Sequence, residues 1–255
     1  MKITVITVSY NSVATIADTL DSVAAQVHSD IEHLVLDGAS SDGTIDIVRS
    51  HPSPYITLRA EPDRGMYDAM NKGIAMATGD VIGFLNSDDY LKDPQVLSRI
   101  AREFESPRVE ACFGDLVYVN PANGSVVRYW KSRAFKKGDF AKGWCPAHPT
   151  FYVRRSVFQR LGCFDLSYRL GSDVELMMRF LERYGIASSY LSGVLVCMRT
   201  GGVSNQSWRN IVIQNQEIYK ALRKNGVAFS PLVFWVFKLT RRFWQRFVGR
   251  FQHAG

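Results

Sequence analysis

The sequence predicts an α/β fold, in which a Rossmann-like, doubly wound and mostly parallel β-sheet carries helices on its faces. Within the first 85 residues, short apolar runs of strand length alternate with stretches whose apolar residues recur at helical spacing. The runs are continuously apolar, as in strands that are buried on both faces. Polar or acidic residues follow three of the four runs. Repeated βα units of this kind build parallel sheets, whose carboxyl ends open into one crevice.

The elements of the first half follow in order. Strands are predicted over residues 3–8, 32–36, 55–59 and 81–85. Helices are predicted over residues 13–26, from the turn "GASSDGT" to about residue 50, and over residues 66–77. Serine and aspartate in that turn suit the start of a helix, and Gly79 suits the end of the last one.

The pattern loosens after residue 110. Two strand patterns joined through "NPANG", a helix pattern and two more strand patterns follow at residues 111–119, 125–129, 173–184, 186–191 and 194–198. We find no internal repeat and no low-complexity linker. We therefore expect one domain over residues 1–217, with halves that meet near residue 110, and a separate extension over residues 218–255.

Charge is unevenly distributed along the chain. The net charge is +7, yet eight basic residues and no acidic residue follow Glu217. Residues 1–217 hold 23 basic against 24 acidic residues, which argues against a nucleic-acid-binding body. The four cysteines show no CxxC spacing, the sequence begins at once with a strand pattern, and no apolar run approaches the length of a membrane-spanning helix. We therefore expect a cytosolic protein with reduced cysteines.

Two adjacent carboxylates end one of the buried runs. In "GFLNSDDYL", Asp88 and Asp89 follow the apolar strand, and like charges side by side need a cation or hydrogen-bond donors to compensate them. With Asp37 at a neighbouring strand end, they could hold Mg²⁺ or Mn²⁺ and substrate phosphates, or they could cap a helix. Arg64 in "EPDRG" could bind the same phosphates or be a surface residue. Tyr10 could stack on a flat base or be half-buried.

Four motifs resemble, in their order and spacing, the family 2 glycosyltransferases of GT-A fold: "TVSYNS", "LVLDGASSDGT", "EPDRGMYDAMNKGIAMATGD" and "GFLNSDD". The resemblance covers about residues 2–205 and is especially to bacterial enzymes that build extracellular, capsular or O-antigen polysaccharide. It implies a nucleotide-binding half over residues 1–110 and an acceptor half over residues 111–217. It also implies inverting transfer of a sugar from a UDP-, GDP- or dTDP-linked donor to a saccharide acceptor, which in this family is often lipid-linked.

The resemblance implies roles for single residues. Those that bind the donor nucleotide would be Thr7, Ser9, Tyr10, Asp37, Arg64, Asn86 and Ser87. Asp88 would hold a divalent cation, Mn²⁺ or Mg²⁺, in the Asp-x-Asp motif, although this chain has Asn rather than Asp at position 86. Asp173, in "GSDVE", matches the catalytic base, and His148 matches a residue near the acceptor.

Other interpretations of these positions stay open. Asp173 could be the N-cap of the helix that follows it. Glu175 could be a first-turn acid favoured by the helix dipole, or an acceptor contact. His148 could be a structural histidine. Asp89 could support the turn, or it could cap the helix that follows Asp93.

The C-terminal extension is basic and aromatic. Between residues 229 and 251, a helical pattern places apolar and aromatic side chains on one half and mostly lysine and arginine on the other. Such a helix can lie in the anionic inner face of the cell membrane, or it can pack its apolar half on the catalytic domain. The one-sided charge favours the membrane, which would make the protein peripheral on the cytoplasmic face.

Two other functions share some of these features. A sugar nucleotidyltransferase would share the fold class and the metal, but it should carry a Gly-rich, basic loop after the first strand, where this chain has "TVSYNSVAT". A non-catalytic carbohydrate- or membrane-binding protein would not need Asp37, Asp88 and Asp173 together. Glycosyl transfer is therefore the function that we expect.

Overall fold

The computed structural model describes residues 1–200, 208–237 and 240. Nine strands lie in this part of the chain: β1 (Ile3–Ser9), β2 (Ile31–Asp37), β3 (Ile56–Ala60), β4 (Val81–Phe84), β5 (Asp89–Leu91), β6 (Ala111–Val119), β7 (Val126–Trp130), β8 (Tyr152–Arg154) and β9 (Ser188–Arg199). The α-helices are α1 (Ile16–Ala24), α2 (Thr44–Ser50), α3 (Met66–Met76), α4 (Val96–Glu103), α5 (Arg155–Leu161), α6 (Ser172–Met178) and α7 (Trp208–Lys224).

The first half of the chain forms the parallel part of the sheet. Its strands run side by side in the order β3-β2-β1-β4, and all three pairings are parallel. The register places Ser9 beside Asp37, so that β1 and β2 end together. This arrangement confirms the βα units predicted for residues 3–85, and it brings the polar strand ends to one edge of the sheet.

The second half makes the sheet mixed rather than mostly parallel. The order continues through β8, β6, β9 and β5, and β7 pairs with β6. Only the pairing of β6 with β9 is parallel among those that the structure describes here; β4 with β8, β8 with β6, β6 with β7 and β9 with β5 are antiparallel. The strands predicted over residues 186–191 and 194–198 are one strand, β9, whose register against β6 shifts around Asp115.

The core lies on both faces of the sheet, because alternate residues of a strand serve opposite faces. On β1, Ile6 belongs to the cluster that α3, α5, α6 and α7 cover, whereas Ile3 and Val5 belong to a cluster with Val23 of α1 and Leu97 of α4. The sheet is therefore covered on both faces, as expected for an α/β domain.

Helix α7 joins the C-terminal segment to this core. The boundary predicted after residue 217 falls inside α7, and Ile218 and Leu222, both in the C-terminal half of this helix, are buried in the main cluster. Residues 231–237 are helical, and Phe234 is buried in the same cluster. The body of the fold thus extends beyond residue 217, because these apolar side chains complete its core.

The helix predicted over residues 229–251 lies mostly outside the described residues, beyond position 237. In the part that is described, four large apolar side chains are well exposed: Leu232, Trp235, Val236 and Phe237. Within the part of the chain that the structure describes, no helix is long and apolar enough to span a membrane.

Candidate active site

The carboxyl ends of β1 and β2 are joined by a buried carboxylate. The hydroxyl of Ser9 donates to Oδ2 of Asp37 over 2.7 Å. Ser40 donates twice to Asp37, from its backbone nitrogen to Oδ1 at 2.7 Å and from its hydroxyl to Oδ2 at 2.8 Å. A carboxylate has about four acceptor positions, so Asp37 keeps about one for a ligand. Three hydrogen bonds hold that carboxylate in a fixed orientation.

An exposed aromatic ring lies beside this carboxylate. Tyr10 is 67% exposed although it directly follows a buried strand. A Cβ placed on Gly38 would lie 3.3 Å from the Tyr10 ring and 2.8 Å from Oδ2 of Asp63, so these three residues meet. Asn11 has a positive φ of 48° and accepts a hydrogen bond from the backbone of Ser41, which ties the two strand ends together. The tyrosine therefore offers an open flat face at a rigid edge.

Thr7 does not belong to this surface. Its side chain is fully buried, and its hydroxyl lies 2.9 Å from Nε2 of His33 on β2. The structure contradicts the prediction that Thr7 contacts a nucleobase, because the residue lies inside the sheet two positions before the strand end. Thr7 and His33 form a polar pair within the core instead.

Arg64 lies in the short loop between β3 and α3, directly after Asp63. Its guanidinium group donates to Oδ1 of Asp68 over 3.0 Å, and its side chain is 80% exposed. The backbone and side-chain hydrogen bonds from Arg64 lower the pKa of the Asp68 carboxyl. An exposed ion pair of this kind contributes little stability, so its arginine is free to exchange partners.

The turn after β4 places the two adjacent aspartates, Asp88 and Asp89, in different surroundings. The amide of Asn86 donates to Oδ2 of Asp89 over 3.2 Å, while Oδ1 of Asp89 is buried and has no hydrogen-bond partner within the described residues. Burial and the neighbouring Asp88 raise the pKa of Asp89 well above its usual range. Because α4 begins at Val96 with Gln95 as its N-cap, Asp89 supports the turn and does not cap the helix.

Asp88 is the half-buried member of the pair. Burial raises the pKa of its carboxyl group, and no side chain in the described ranges donates a hydrogen bond to that group. The nearest cation is Arg199, whose guanidinium group donates to the backbone oxygen of Asp88 over 2.9 Å. Ser87 shares a hydrogen bond of 2.8 Å with Ser12, which links this turn to the end of β1.

The uncompensated oxygens of Asp88 and Asp89 suit a divalent cation. The Asp88 carboxylate is desolvated and receives no side-chain hydrogen bond from the described residues, and Oδ1 of Asp89 beside it has no partner among them. A positive charge would stabilise such a pair. Within the part of the chain that the structure describes, no group of three histidine, cysteine or acidic residues is suited to hold a metal by itself. The protein would thus supply one carboxylate, from Asp88, and substrate phosphates and water would complete the ligand set, as is common for Mg²⁺.

Asp173 lies in the first turn of α6. Gly171 is the N-cap of that helix and Asp173 makes no capping hydrogen bond, so the structure contradicts the capping interpretation. Instead, the hydroxyl of Tyr67 donates to Oδ1 of Asp173 over 3.1 Å. Burial and the charge of Asp173 raise the pKa of Tyr67 well above its usual range, which keeps this hydroxyl protonated as a donor.

His148 lies near the same carboxylate. It is buried, and neither ring nitrogen has a hydrogen-bond partner within the described residues. Its ring stacks on Phe84 at 5.3 Å and meets Phe164 edge-on at 5.7 Å. Burial lowers the pKa of His148 more than the charge of Asp173 raises it. His148 and Asp173 both line a cavity of about 210 Å³.

Comparison with known proteins identifies this arrangement. The profile of the family "Glycosyl transferase family 2" matches residues 4–162, which is more than half of the chain. The chain belongs to glycosyltransferase family 2. The assignment decides for glycosyl transfer over the two other functions that the sequence left open.

Relatives of this glycosyltransferase carry related names. A "PGL/p-HBAD biosynthesis glycosyltransferase" of Mycobacterium bovis BCG is 28% identical over 200 residues, which cover 76% of each chain. An uncharacterised glycosyltransferase of Mycobacterium tuberculosis is 32% identical over 183 residues, or 69% of this chain and 68% of the relative.

Solved structures share the fold. The S. aureus protein TarS (residues 1–349), solved in complex with UDP-GlcNAc, superposes with a TM-score of 0.68 at 18% identity, covering 95% of this chain and 73% of that one. The mannosyltransferase PcManGT of Pyrobaculum calidifontis, solved with GDP-Man and Mn²⁺, gives 0.67 at 20% identity, covering 100% and 76%. The fold is the GT-A glycosyltransferase fold.

Glu175 has a structural place in this glycosyltransferase. Its side chain is fully buried and lies 3.3 Å from Nε of Arg179 and 3.1 Å from Nζ of Lys224. The pair with Lys224 joins α6 to the end of α7. The structure contradicts an acceptor contact for Glu175, because both of its oxygens are engaged inside the protein. A buried carboxylate paired in this way is costly to disrupt.

Three residues that lie near the site were not identified from the sequence: Ser40, Asp63 and Tyr67. The role of Ser40 had a signal, since Asp37 followed three residues later by a serine is a common turn pattern. Tyr67 lies within the quoted motif "EPDRGMYDAMNKG", yet its partner Asp173 is 106 positions away. Asp63 reaches Gly38 only through the tertiary fold, so neither of these two contacts has a local signal.

Proposed function

We propose that this glycosyltransferase moves a sugar from a nucleoside-diphosphate sugar to an acceptor hydroxyl in a single inverting displacement, with Asp173 as the general base. One observation carries the proposal. One oxygen of Asp173 accepts a hydrogen bond from the Tyr67 hydroxyl, and Asp173 lines a cavity together with the buried ring of His148, whose nitrogens have no partner among the described residues. A general base needs a fixed position within hydrogen-bond reach of the proton that it takes.

The donor nucleotide would lie at the strand ends. Tyr10 offers a face for the base, Asp37 keeps acceptor capacity for the base edge, and Asn86 and Ser87 would lie near the ribose. Arg64 would leave Asp68 to bind the diphosphate by charge-assisted hydrogen bonds. The similar proteins solved with UDP-GlcNAc and GDP-Man support donors of this class. We therefore include UDP-, GDP- and dTDP-sugars as candidates.

Asp88 would hold the divalent cation, Mn²⁺ or Mg²⁺. When bound, such a cation neutralises the charge that develops on the leaving diphosphate. The half-buried carboxylate, to which no side chain of the described residues donates a hydrogen bond, supports this assignment. The similar mannosyltransferase solved with Mn²⁺ supports it as well. The amide of Asn86 is uncharged and donates to Asp89, so we assign no metal contact to it.

Proton transfer would take place on the acceptor side of the site. The acceptor oxygen bonds to the anomeric carbon while the bond from that carbon to the diphosphate breaks, and the hydroxyl proton passes to Asp173. Attack from the side opposite to the leaving group inverts the anomeric centre. Tyr67 holds the carboxylate in place throughout, and the neutral ring of His148 can hydrogen-bond the acceptor. The ion pairs of Glu175 keep α6, and with it Asp173, in position.

The acceptor would be a lipid-linked saccharide of a cell-surface glycan, used at the inner face of the membrane. Apolar side chains exposed on residues 231–237 and the basic residues that follow them in the sequence support a membrane contact.

A donor screen tests this proposal. UDP, GDP and dTDP, each with and without Mn²⁺, are added to the full chain and the melting temperature is measured, because binding to the folded state raises it. One nucleotide should stabilise the protein in the presence of Mn²⁺, and its sugar conjugates should release that nucleotide during turnover. If no nucleoside diphosphate stabilises the protein and no sugar nucleotide is consumed, the proposal is wrong.

A further inference from the structure

A second carboxylate lies at the edge where we place the donor base. Oδ2 of Asp63 and the ring of Tyr10 are on the same side of Gly38, since a Cβ placed on Gly38 would lie 2.8 Å from that oxygen and 3.3 Å from the ring. Gly38 directly follows Asp37, the buried carboxylate at the end of β2. A larger residue at position 38 would push Asp63 away, so the glycine allows the second carboxylate to approach the first.

The two carboxylates differ in the acceptor positions that they keep. Oδ2 of Asp37 accepts the hydroxyls of Ser9 and Ser40, and Oδ1 accepts the backbone N–H of Ser40. Asp37 therefore has about one position left, on Oδ1, and can take one N–H group from a ligand. Oδ1 of Asp63 accepts the backbone N–H of Gly65 over 2.8 Å, whereas no group of the described residues donates a hydrogen bond to its Oδ2.

The backbone at this edge is held in an uncommon conformation. Among the described residues, Asn11 (φ 48°) and Ala39 (φ 63°) are the two non-glycine residues with positive φ, and they follow the ends of β1 and β2. Such conformations cost free energy and cluster at sites that bind ligands. The edge is therefore preorganised, with an exposed aromatic face and two carboxylates that need N–H donors.

The candidate bases differ in the donors that they present to such an edge. Guanine carries two adjacent donor groups on its Watson–Crick edge, N1–H and the 2-amino group. Uracil and thymine carry one, N3–H, with a carbonyl oxygen on either side. If N3–H of a pyrimidine satisfied Asp37, a carbonyl oxygen would face Asp63, and two acceptors repel each other. Guanine offers one donor to each carboxylate.

We infer that the donor is a guanosine-diphosphate sugar and that Asp63 selects guanine by accepting a hydrogen bond from its 2-amino group. The inference rests on the proposed function and chooses among its three candidate nucleotides. Tyr10 stacks on the purine while Oδ1 of Asp37 accepts the N1–H. Asp63 thus determines specificity in two ways, because its carboxylate attracts guanine and repels the carbonyl oxygens of uracil and thymine.

Inosine diphosphate (IDP) tests the inference on the unmodified full chain. IDP has the N1–H of guanine but lacks the 2-amino group, so the ratio of its affinity to that of GDP isolates the contact with Asp63. Dissociation constants for GDP, IDP, UDP and dTDP are measured by calorimetry in the presence of Mn²⁺. GDP should bind most tightly, and at least about tenfold more tightly than IDP, which is the effect of one hydrogen bond to a charged group.

Asp63→Asn assigns this preference to one side chain. The backbone N–H of Gly65 would hold the amide oxygen, so the amide NH₂ takes the place of Oδ2 and presents a donor to the base. The preference for GDP over IDP should then disappear, and the affinity for UDP should rise. Glu61→Gln is the matched control, because it removes the same charge from the same loop, at a residue that pairs with Arg59 and Lys72. Its ratio of GDP to IDP affinity should equal that of wild type.

Four results would overturn the inference: equal affinity of wild type for GDP and IDP, tighter binding of UDP or dTDP than of GDP, an unchanged ratio of GDP to IDP affinity in Asp63→Asn, or an equal loss of all four nucleotides in that variant. The last result would mean that Asp63 contacts the ribose. If Asp63→Asn does not fold, the comparison of GDP with IDP on wild type still decides. A protein that binds UDP or dTDP best refutes only this inference, whereas a protein that binds no nucleoside diphosphate refutes the proposed function.

Discussion

Folding stability should depend on His33 below neutral pH. This side chain is fully buried beside Thr7, and burial, with a smaller effect of His51, lowers its pKa from 6.5 to about 3. The unfolded chain therefore binds a proton near pH 6.5 that the folded protein excludes until about pH 3. A histidine whose folded pKa is lowered stabilises the protein above pH 6.5 and loses that contribution as the pH falls.

The size of the effect follows from the two pKa values. Between pH 7 and pH 5, protonation of the unfolded chain lowers the free energy of unfolding by about 2 kcal/mol, at ~1.36 kcal/mol per pKa unit. For a chain of this length, about 2 kcal/mol corresponds to a fall of roughly 4–8 °C in melting temperature.

His33→Gln isolates this contribution. Glutamine cannot take up a proton, and its amide can still hydrogen-bond Thr7. Thermal unfolding is measured at pH 7, 6 and 5 for wild type, for His33→Gln and for a control, His28→Gln. His28 is only half-buried, and Nε2 of its ring lies 3.0 Å from the backbone oxygen of Met1. The His33 variant should lose about 2 kcal/mol less than wild type between pH 7 and pH 5. Equal pH dependence in wild type and His33→Gln would refute the reasoning.

Three further predictions concern the active site and the C-terminal segment. Asp88→Ala should abolish Mn²⁺-dependent nucleotide binding in calorimetry, while Asp89→Asn retains it; equal affinity in wild type and Asp88→Ala would exclude Asp88 as the ligand. Tyr67→Phe should lower kcat by roughly 10-fold or more with donor KM unchanged, because a hydrogen bond to a carboxylate contributes about 1.5–3 kcal/mol; an unchanged kcat would show that Tyr67 does not position Asp173. Truncation after residue 237 should keep the melting temperature and lose sedimentation with anionic vesicles, whereas truncation after Ser230 should also unfold at lower temperature, since it removes buried Phe234. Vesicle binding by both truncated forms would contradict the membrane role.

The parallel half of the sheet could be predicted because its strands are continuous apolar runs separated by helices of regular period. Short strands escaped prediction, since β5 and β8 have three residues each and show no period. Their antiparallel pairing makes the sheet mixed. The predicted domain boundary after residue 217 does not coincide with the end of the hydrophobic core. A change of charge at Glu217 does not mark a boundary when the next apolar residues still pack on the body.

Site residues next to a strand end were the ones best located from the sequence. Ser9 and Asp37 bond each other because β1 and β2 end in register. Thr7 shows the limit of this reasoning, since two residues of chain separate an exposed strand end from the core. Glu175 shows another limit, because its basic partner Lys224 lies 49 positions away on a different helix. The contact between Tyr67 and Asp173 could not be predicted either, because it depends on tertiary packing.

The rate of sugar transfer by Asp173→Asn tests the central claim most directly. Asparagine keeps the shape of the side chain and can still accept the hydrogen bond from Tyr67, and since Asp173 does not cap α6, no cap is lost. With the acceptor that supports turnover, transfer should fall by roughly 10²-fold or more, the scale of general-base catalysis, while donor affinity and melting temperature stay at wild-type values. Transfer at a near-normal rate by the folded variant would contradict the account and place the base elsewhere.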